Sequence, residues 1–138
     1  MKDLLKDIEE LDYASAGPLL KLQDIKETND ILHFKGYPKL PSDVIFFLQS
    51  YNGLRTERGV IWGIDTKNHT FYDIVAENLV SSNPNPKDIL ILGNDDKSYV
   101  GYNQNTKKYV ILENSGYQEI FSSKSFANIV RQCLKIYP

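Results

Sequence analysis

The 138-residue chain has a single cysteine, Cys133, so it can form no internal disulfide and its stability has to come from packing. Long apolar runs are missing as well. The longest, Val44 to Leu48, spans five residues, against the roughly 20 that a membrane-spanning helix requires. There is no excess of basic charge: 16 Lys and Arg against 18 Asp and Glu leave a net charge of −2, which speaks against the cationic field that condenses on a nucleic-acid backbone. The sequence contains no Gly-x-Ser-x-Gly elbow, no phosphate-binding loop and no Gly-x-Gly-x-x-Gly. Its first stretch, Met1 to Asp12, is charged and lacks the apolar centre of a signal peptide. These absences lead to the expectation of a soluble cytoplasmic domain with no membrane and no nucleic acid among its partners. With 41% hydrophobic and 25% charged residues, the composition is that of a globular chain, and the length suits one domain over residues 1–138.

Periodicity divides that domain into two halves. Leu4, Leu5, Ile8 and Leu11 recur at helical spacing. Asp24 with Glu27 three positions on resembles a capping box at the head of a second helix reaching about Phe34. A third helix is the clearest: Pro41 suits the first helical position, Val44, Phe47, Leu48 and Tyr51 form one stripe, and Asn52-Gly53 closes it. From Gly59 the period changes to two, with Val60, Trp62 and Ile64 alternating against Ile61 and Gly63 before a turn at 65–68. Asp73 as a cap and the pair Val75/Leu79 favour a short helix within 72–80, and Asn83-Pro84-Asn85-Pro86 reads as a loop. Four strands then follow at 89–92, 99–103, 109–113 and 117–122, joined by polar turns too short for anything but antiparallel neighbours. A last helix, capped at Ser122-Ser123, carries Phe126, Ile129, Val130, Cys133 and Tyr137 on one stripe. The fold class expected is α+β: an antiparallel meander packed with helices from the N-terminal third and a C-terminal helix.

Candidate chemistry is sparse. His33 and His69 have no metal-type spacing, which points to no metal and no cofactor, and Cys133 on an apolar stripe suits a small buried hydrophobe better than a nucleophile. Asp95-Asp96 could ligate a cation, or work with Asp65 as acid and base, but aspartate is also the residue a hairpin turn favours. Asn68-His69-Thr70 matches a glycosylation acceptor, irrelevant in a chain that stays out of a secretory lumen. Nine tyrosines are the unusual count, and Tyr99, Tyr102, Tyr109 and Tyr117 all fall in the meander. They fit either plain β-propensity or the wide amphipathic contact surface of a protein-binding sheet. Trp62 fits either the core or an interface anchor. Residues 1–30 hold eight acids against four lysines, a solvated helix face that could also steer a basic partner.

Read in order, these residues resemble a known family. Leu40-Pro41-Ser42-Asp43, then Phe47-Leu48 and Tyr51-Asn52-Gly53, is similar to the signature that opens members of the SUKH superfamily. Ile91-Leu92-Gly93-Asn94-Asp95 looks like its apolar strand running into a Gly-Asn turn, and Ser125-Phe126-Ala127-Asn128-Ile129-Val130 like its closing helix. The chain departs from the family at Asp95-Asp96-Lys97-Ser98, where glycines are common, and at Ala127-Asn128, where an acidic pair is usual. The resemblance implies an α+β domain without catalytic residues and two roles, both in protein binding: bacterial immunity proteins that neutralise toxins, and fungal adaptors that regulate cell-wall glucan synthesis. The compact chain matches the immunity role better. Expected partner contacts are Trp62, Asp95, Asp96, Tyr99, Tyr102 and Tyr117, together with Arg55, Glu57 and Arg58 on the loop after the third helix. Two other readings stand beside it, the adaptor and a small enzyme using Asp65, Asp95 or Asp96.

Overall fold

The computed structural model describes residues 1–65, 72–79 and 88–137. Among them, five helices accompany a seven-stranded antiparallel sheet whose strands lie side by side in chain order. The order is α1 (Lys2–Glu9), β1 (Ala14–Ser15), α2 (Leu22–Phe34), α3 (Ser42–Ser50), β2 (Arg55–Thr56), β3 (Gly59–Ile61), α4 (Ile74–Asn78), β4 (Ile89–Asp95), β5 (Ser98–Asn103), β6 (Lys108–Glu113), β7 (Glu119–Ser123) and α5 (Phe126–Leu134). This is the α+β meander expected, extended by two short strands that pair across 40 residues, Ala14 with Thr56 and Ser15 with Arg55.

One sheet face carries the main helical layer. Phe126 of α5 sits with its ring 5.1 Å from Tyr109 on β6 and 5.5 Å, edge-on, from Phe47 on α3. Full burial of Phe126 and Phe47 makes this triad the centre of the core, and truncating such an aromatic to alanine costs about 3–5 kcal/mol. The first helix is tied to the same layer twice, by an ion pair from Arg131 to Asp7 at 2.8 Å and by the Tyr51 hydroxyl donating to Leu5 O at 3.4 Å. The stripe Leu4 and Ile8 of α1, Val44, Phe47 and Leu48 of α3, and Phe126, Ile129, Val130 and Cys133 of α5 is buried throughout.

The second helix belongs with α4. Tyr37, just after α2, donates from its hydroxyl to Asn78 O at 2.8 Å, and Asn78 is buried at the end of α4. Its amide lies against β4: Nδ2 donates to Ile91 O at 2.8 Å, and Oδ1 accepts from Ile91 N at 2.9 Å. The third strand ends at Ile61, opposite Gly93, and beyond it Trp62 N reaches Leu92 O at 2.7 Å. Asn78 therefore satisfies the β4 backbone where no strand continues, which buried peptide groups require.

Several boundaries move for identifiable reasons. The second helix begins at Leu22 with Lys21 as its cap, so Asp24 is the third helical residue and reaches back to Lys21 N at 3.4 Å rather than capping. Pro41 is the cap of α3, not its first residue. The cap of α5 is Ser125, whose oxygen accepts from Asn128 N at 3.2 Å, while Ser123 accepts from Ser125 N. Tyr137 lies past the end of that helix and is 61% exposed, off the buried stripe. The fourth strand runs on to Asp95, so only Asp96-Lys97 turns. The strand from Gly59 stops at Ile61 because Gly63 bridges Asp73 instead. Asp73 does cap α4, accepting from Ala76 N at 2.9 Å. The expected turn beyond Asp65, the Asn68-His69-Thr70 motif and the loop at 83–86 fall outside the described residues.

Candidate interaction surface

Strand parity sorts the meander tyrosines. Tyr102 lies opposite Tyr109, whose ring meets Phe126, so positions 102 and 109 face the α5 layer. Side chains alternate along a strand, which places Tyr99, three residues before Tyr102, on the other face. From Tyr99 the pairings trace one row across the sheet: Ser15, Arg55, Val60, Asn94, Tyr99, Leu112 and Glu119, one residue from each strand. Ser15 and Glu119 are exposed, Arg55, Val60, Asn94 and Tyr99 half-buried, and Leu112 buried.

Rings stack onto this row at two places. Near β2, the Arg55 guanidinium lies 5.5 Å from the centroid of Tyr72, and the Tyr72 ring lies 6.5 Å from Trp62, within 13° of parallel. Trp62 in turn donates from Nε1 to Asn94 Oδ1 at 2.8 Å. On the next strand over, Tyr99 and Tyr117 stack at 5.6 Å with planes 2° apart. Burial, and then the neighbouring Tyr99 hydroxyl to which it is hydrogen-bonded, hold the Tyr117 hydroxyl above the ordinary tyrosine pKa. Both outer tyrosines have left-handed backbone, φ 61° at Tyr72 and 56° at Tyr117. A non-glycine residue there costs roughly 1–2 kcal/mol, and such strain clusters at functional positions. In both places the strained residue closes a stack.

The expected contact residues divide accordingly. Arg55, Tyr99 and Tyr117 come together with the row. Trp62 is only 4% exposed, so it serves as the footing on which Tyr72 and Asn94 rest and is not itself a presented anchor. Tyr102 is half-buried on the helix side, tilted on Tyr109 at 5.2 Å, and so does not share a face with the row. Asp95 is spent on its own turn: Oδ1 accepts from Lys97 N at 2.8 Å, Ser98 N at 2.7 Å and Ser98 Oγ at 2.9 Å. Asp96 is exposed at that turn and accepts through its carbonyl from Asn114 Nδ2 at 3.2 Å. Glu57 and Arg58 are exposed at the tip of the β2–β3 hairpin, where they border a cleft of about 180 Å³ with Asp12, Tyr13, Leu134 and Lys135. Asn94, in the row, and Tyr72, stacked beside it on Trp62 and Arg55, were not among the expected contacts. Asn94 could have been found from parity, since it lies opposite Tyr99 in any regular hairpin closed at 96–97.

The other carboxylates of interest sit elsewhere. Asp65 borders a second cleft, of about 80 Å³, shared with Gly17, Asn52, Gly63 and Asp73. Asp73 is buried there and accepts from Asp65 N at 2.7 Å as well as from Ala76 N. Asn52, the expected helix-closing residue, is a tie across this cleft. It donates to Pro18 O at 2.8 Å and Ile64 O at 3.0 Å, and accepts from Ile64 N at 2.7 Å. Gly53 beside it has φ 79°, as the closing of α3 requires. Among the described residues, no group of three or more His, Cys, Asp and Glu side chains is placed to hold a metal ion. Burial, with a smaller contribution from Asp95, pushes the Cys133 thiol up to about 12, which keeps it protonated. No helix among the described residues is long and apolar enough to cross a membrane. No family model, no curated protein and no solved structure matches the chain.

Proposed function

We propose that this chain is a SUKH-like immunity protein, which binds a cognate toxin domain through the Arg55–Tyr72 and Tyr99–Tyr117 side of its sheet and blocks that toxin without catalysing a reaction. The observation that carries the reading is the pair of ring stacks, each closed by a tyrosine in left-handed backbone. Rings fixed in place lose little entropy on binding, and aromatic and arginine side chains are the groups that anchor protein interfaces. The landmarks behind the resemblance also take structural roles consistent with it: Leu40 to Gly53 forms α3 with its closure, Ile91 to Asp95 the strand into the β4–β5 turn, and Ser125 to Val130 the start of α5. Immunity complexes of this general kind reach Kd values on the order of 10⁻¹³ M over interfaces near ~1,600 Å².

The test is co-expression with a toxin encoded beside the gene, followed by titration calorimetry. Tight association, weakened at least tenfold by Tyr99→Ala or Arg55→Ala and unchanged by Asp96→Ala, is the expected result. Absence of association with any neighbouring toxin, together with an altered cell wall when the gene is deleted in monoculture, would replace this reading with the adaptor.

A further inference from the structure

The two ends of the sheet are protected unequally. At one end β1 has two residues, too short to template another strand. At the other end β7 has five, four of them exposed, and no strand lies beyond it among the described residues. Two of its side chains are large and apolar, Ile120 at 54% and Phe121 at 37% exposed. An edge strand offers a row of backbone donors and acceptors, and proteins ordinarily blunt such an edge with charge along its length. Here the charges stand only at the ends, Glu119 at the start and Lys124 just past the last residue, both exposed.

That charge order selects an occupant. A second β7 laid antiparallel brings Glu119 of each copy beside Lys124 of the other, whereas a parallel strand would set like charges together. Opposite-charge cross-strand pairs are favourable and like-charge pairs are not. Antiparallel self-pairing about a two-fold axis is also the self-complementary geometry of a closed homodimer. The pairing of β6 with β7 is irregular between Ile111 and Leu112, which puts Ile120 out of step and leaves Phe121 to Ser123 as the regular segment.

We infer that β7 is a self-association edge, across which a second copy of this chain continues the sheet. Five residues span only ~17 Å, so the dimer is weak and forms as concentration rises into the micromolar to millimolar range. The contact uses the edge of the sheet and meets the row of stacked rings only at its last member, Glu119, away from the Arg55–Tyr72 and Tyr99–Tyr117 stacks, so it does not rest on the function proposed above.

Sedimentation equilibrium of the purified chain at low salt, up to about 0.5 mM, tests it. A monomer–dimer equilibrium is expected. Glu119→Lys and Lys124→Glu each weaken it about tenfold, and the double exchange restores it to within about threefold. Both positions are exposed, so an unchanged melting curve certifies that the variants are folded. A chain that stays monomeric throughout, or a dimer indifferent to either substitution, refutes the inference. So does protection of the β7 amides that appears only when a different protein is added, because the edge would then serve that protein.

Discussion

Asn78→Ala should be among the most damaging single substitutions in this fold outside the aromatic core. The side chain is 1% exposed and makes three hydrogen bonds: Nδ2 to Ile74 O and Ile91 O, both at 2.8 Å, and Oδ1 from Ile91 N at 2.9 Å. Alanine removes all three and brings in nothing to replace them. Ile91 is itself fully buried, so its N–H and C=O are left without partners in a site water does not reach. Each orphaned buried group costs about 1–3 kcal/mol, which puts the loss at about 3–5 kcal/mol, a large share of the roughly 5–15 kcal/mol a domain has. With a urea m-value of about 2 kcal/mol/M, the unfolding midpoint should fall by about 2 M. The control is Asn114→Ala, whose Nδ2 bonds Asp96 O at 3.2 Å on an exposed turn and whose loss should stay within about 0.5 kcal/mol. Hydrogen exchange supplies a second readout, since the Ile91 amide should become one of the fast exchangers of β4 while those paired to β5 stay slow. A midpoint shift below about 0.5 M, with the Ile91 amide still protected, would mean that β4 finds other partners at this position and that Asn78 is dispensable.

Tyr117→Asn should separate binding from folding. Asparagine tolerates the left-handed backbone that Tyr117 occupies, so stability should change by no more than about 1 kcal/mol while partner affinity measured by calorimetry drops at least tenfold. Gly63→Ala should destabilise by about 1–3 kcal/mol in urea titrations, because the added methyl would overlap Asn52 Oδ1 and the Gly53 backbone, and backbone cannot swing aside as the end of a flexible side chain can. Alkaline pH should unfold the protein: burial raises the Cys133 thiol from 9.0 to about 12 and the Tyr109 hydroxyl well above 10.0, so the folded chain holds both protons more tightly than the unfolded one. Their contribution is complete below about pH 9 and is lost progressively as pH climbs towards 12, which urea midpoints between pH 8 and 11 would follow. Thiol reagents at pH 8 should label Cys133 only after unfolding. A double-mutant cycle on Asp7 and Arg131 should return about 0.5–1.5 kcal/mol, since the pair is partly buried and Arg131 keeps a second bond to Ile136 O at 3.2 Å.

What the sequence revealed of this fold follows the range of the forces involved. Strands β4 to β7 and helices α1, α3 and α5 were legible because periodicity and turn chemistry are local, and Asp73 announced α4 because a cap acts within three residues. Strands β1 and β2 were not, because two residues carry no period and Ala14–Ser15 exists as a strand only by pairing with Arg55–Thr56. The three asparagines that knit the fold were hidden for a different reason. Asn52 and Asn94 look like turn formers in sequence and Asn78 like any residue of a short helix, and their long-range bonds to Pro18, Trp62 and Ile91 depend on which segments the core brings near them.

The tyrosines show where local reading stops being sufficient and where it was underused. Positions 99 and 102 are an odd number of residues apart on one strand, so they cannot share a face, and no surface built from both was available. Which of the two lies on the α5 side is set by Phe126 seating against Tyr109 and Phe47. With α5 on the Tyr102 side, Tyr72 and Tyr117 take their places in the ring stacks of the opposite side, both in left-handed backbone. Core packing thus decides which side of the sheet carries the two ring stacks. It follows that substitutions in the Phe126 triad should weaken partner binding only through loss of folded protein, whereas those in the two stacks should weaken it in a chain that is fully folded.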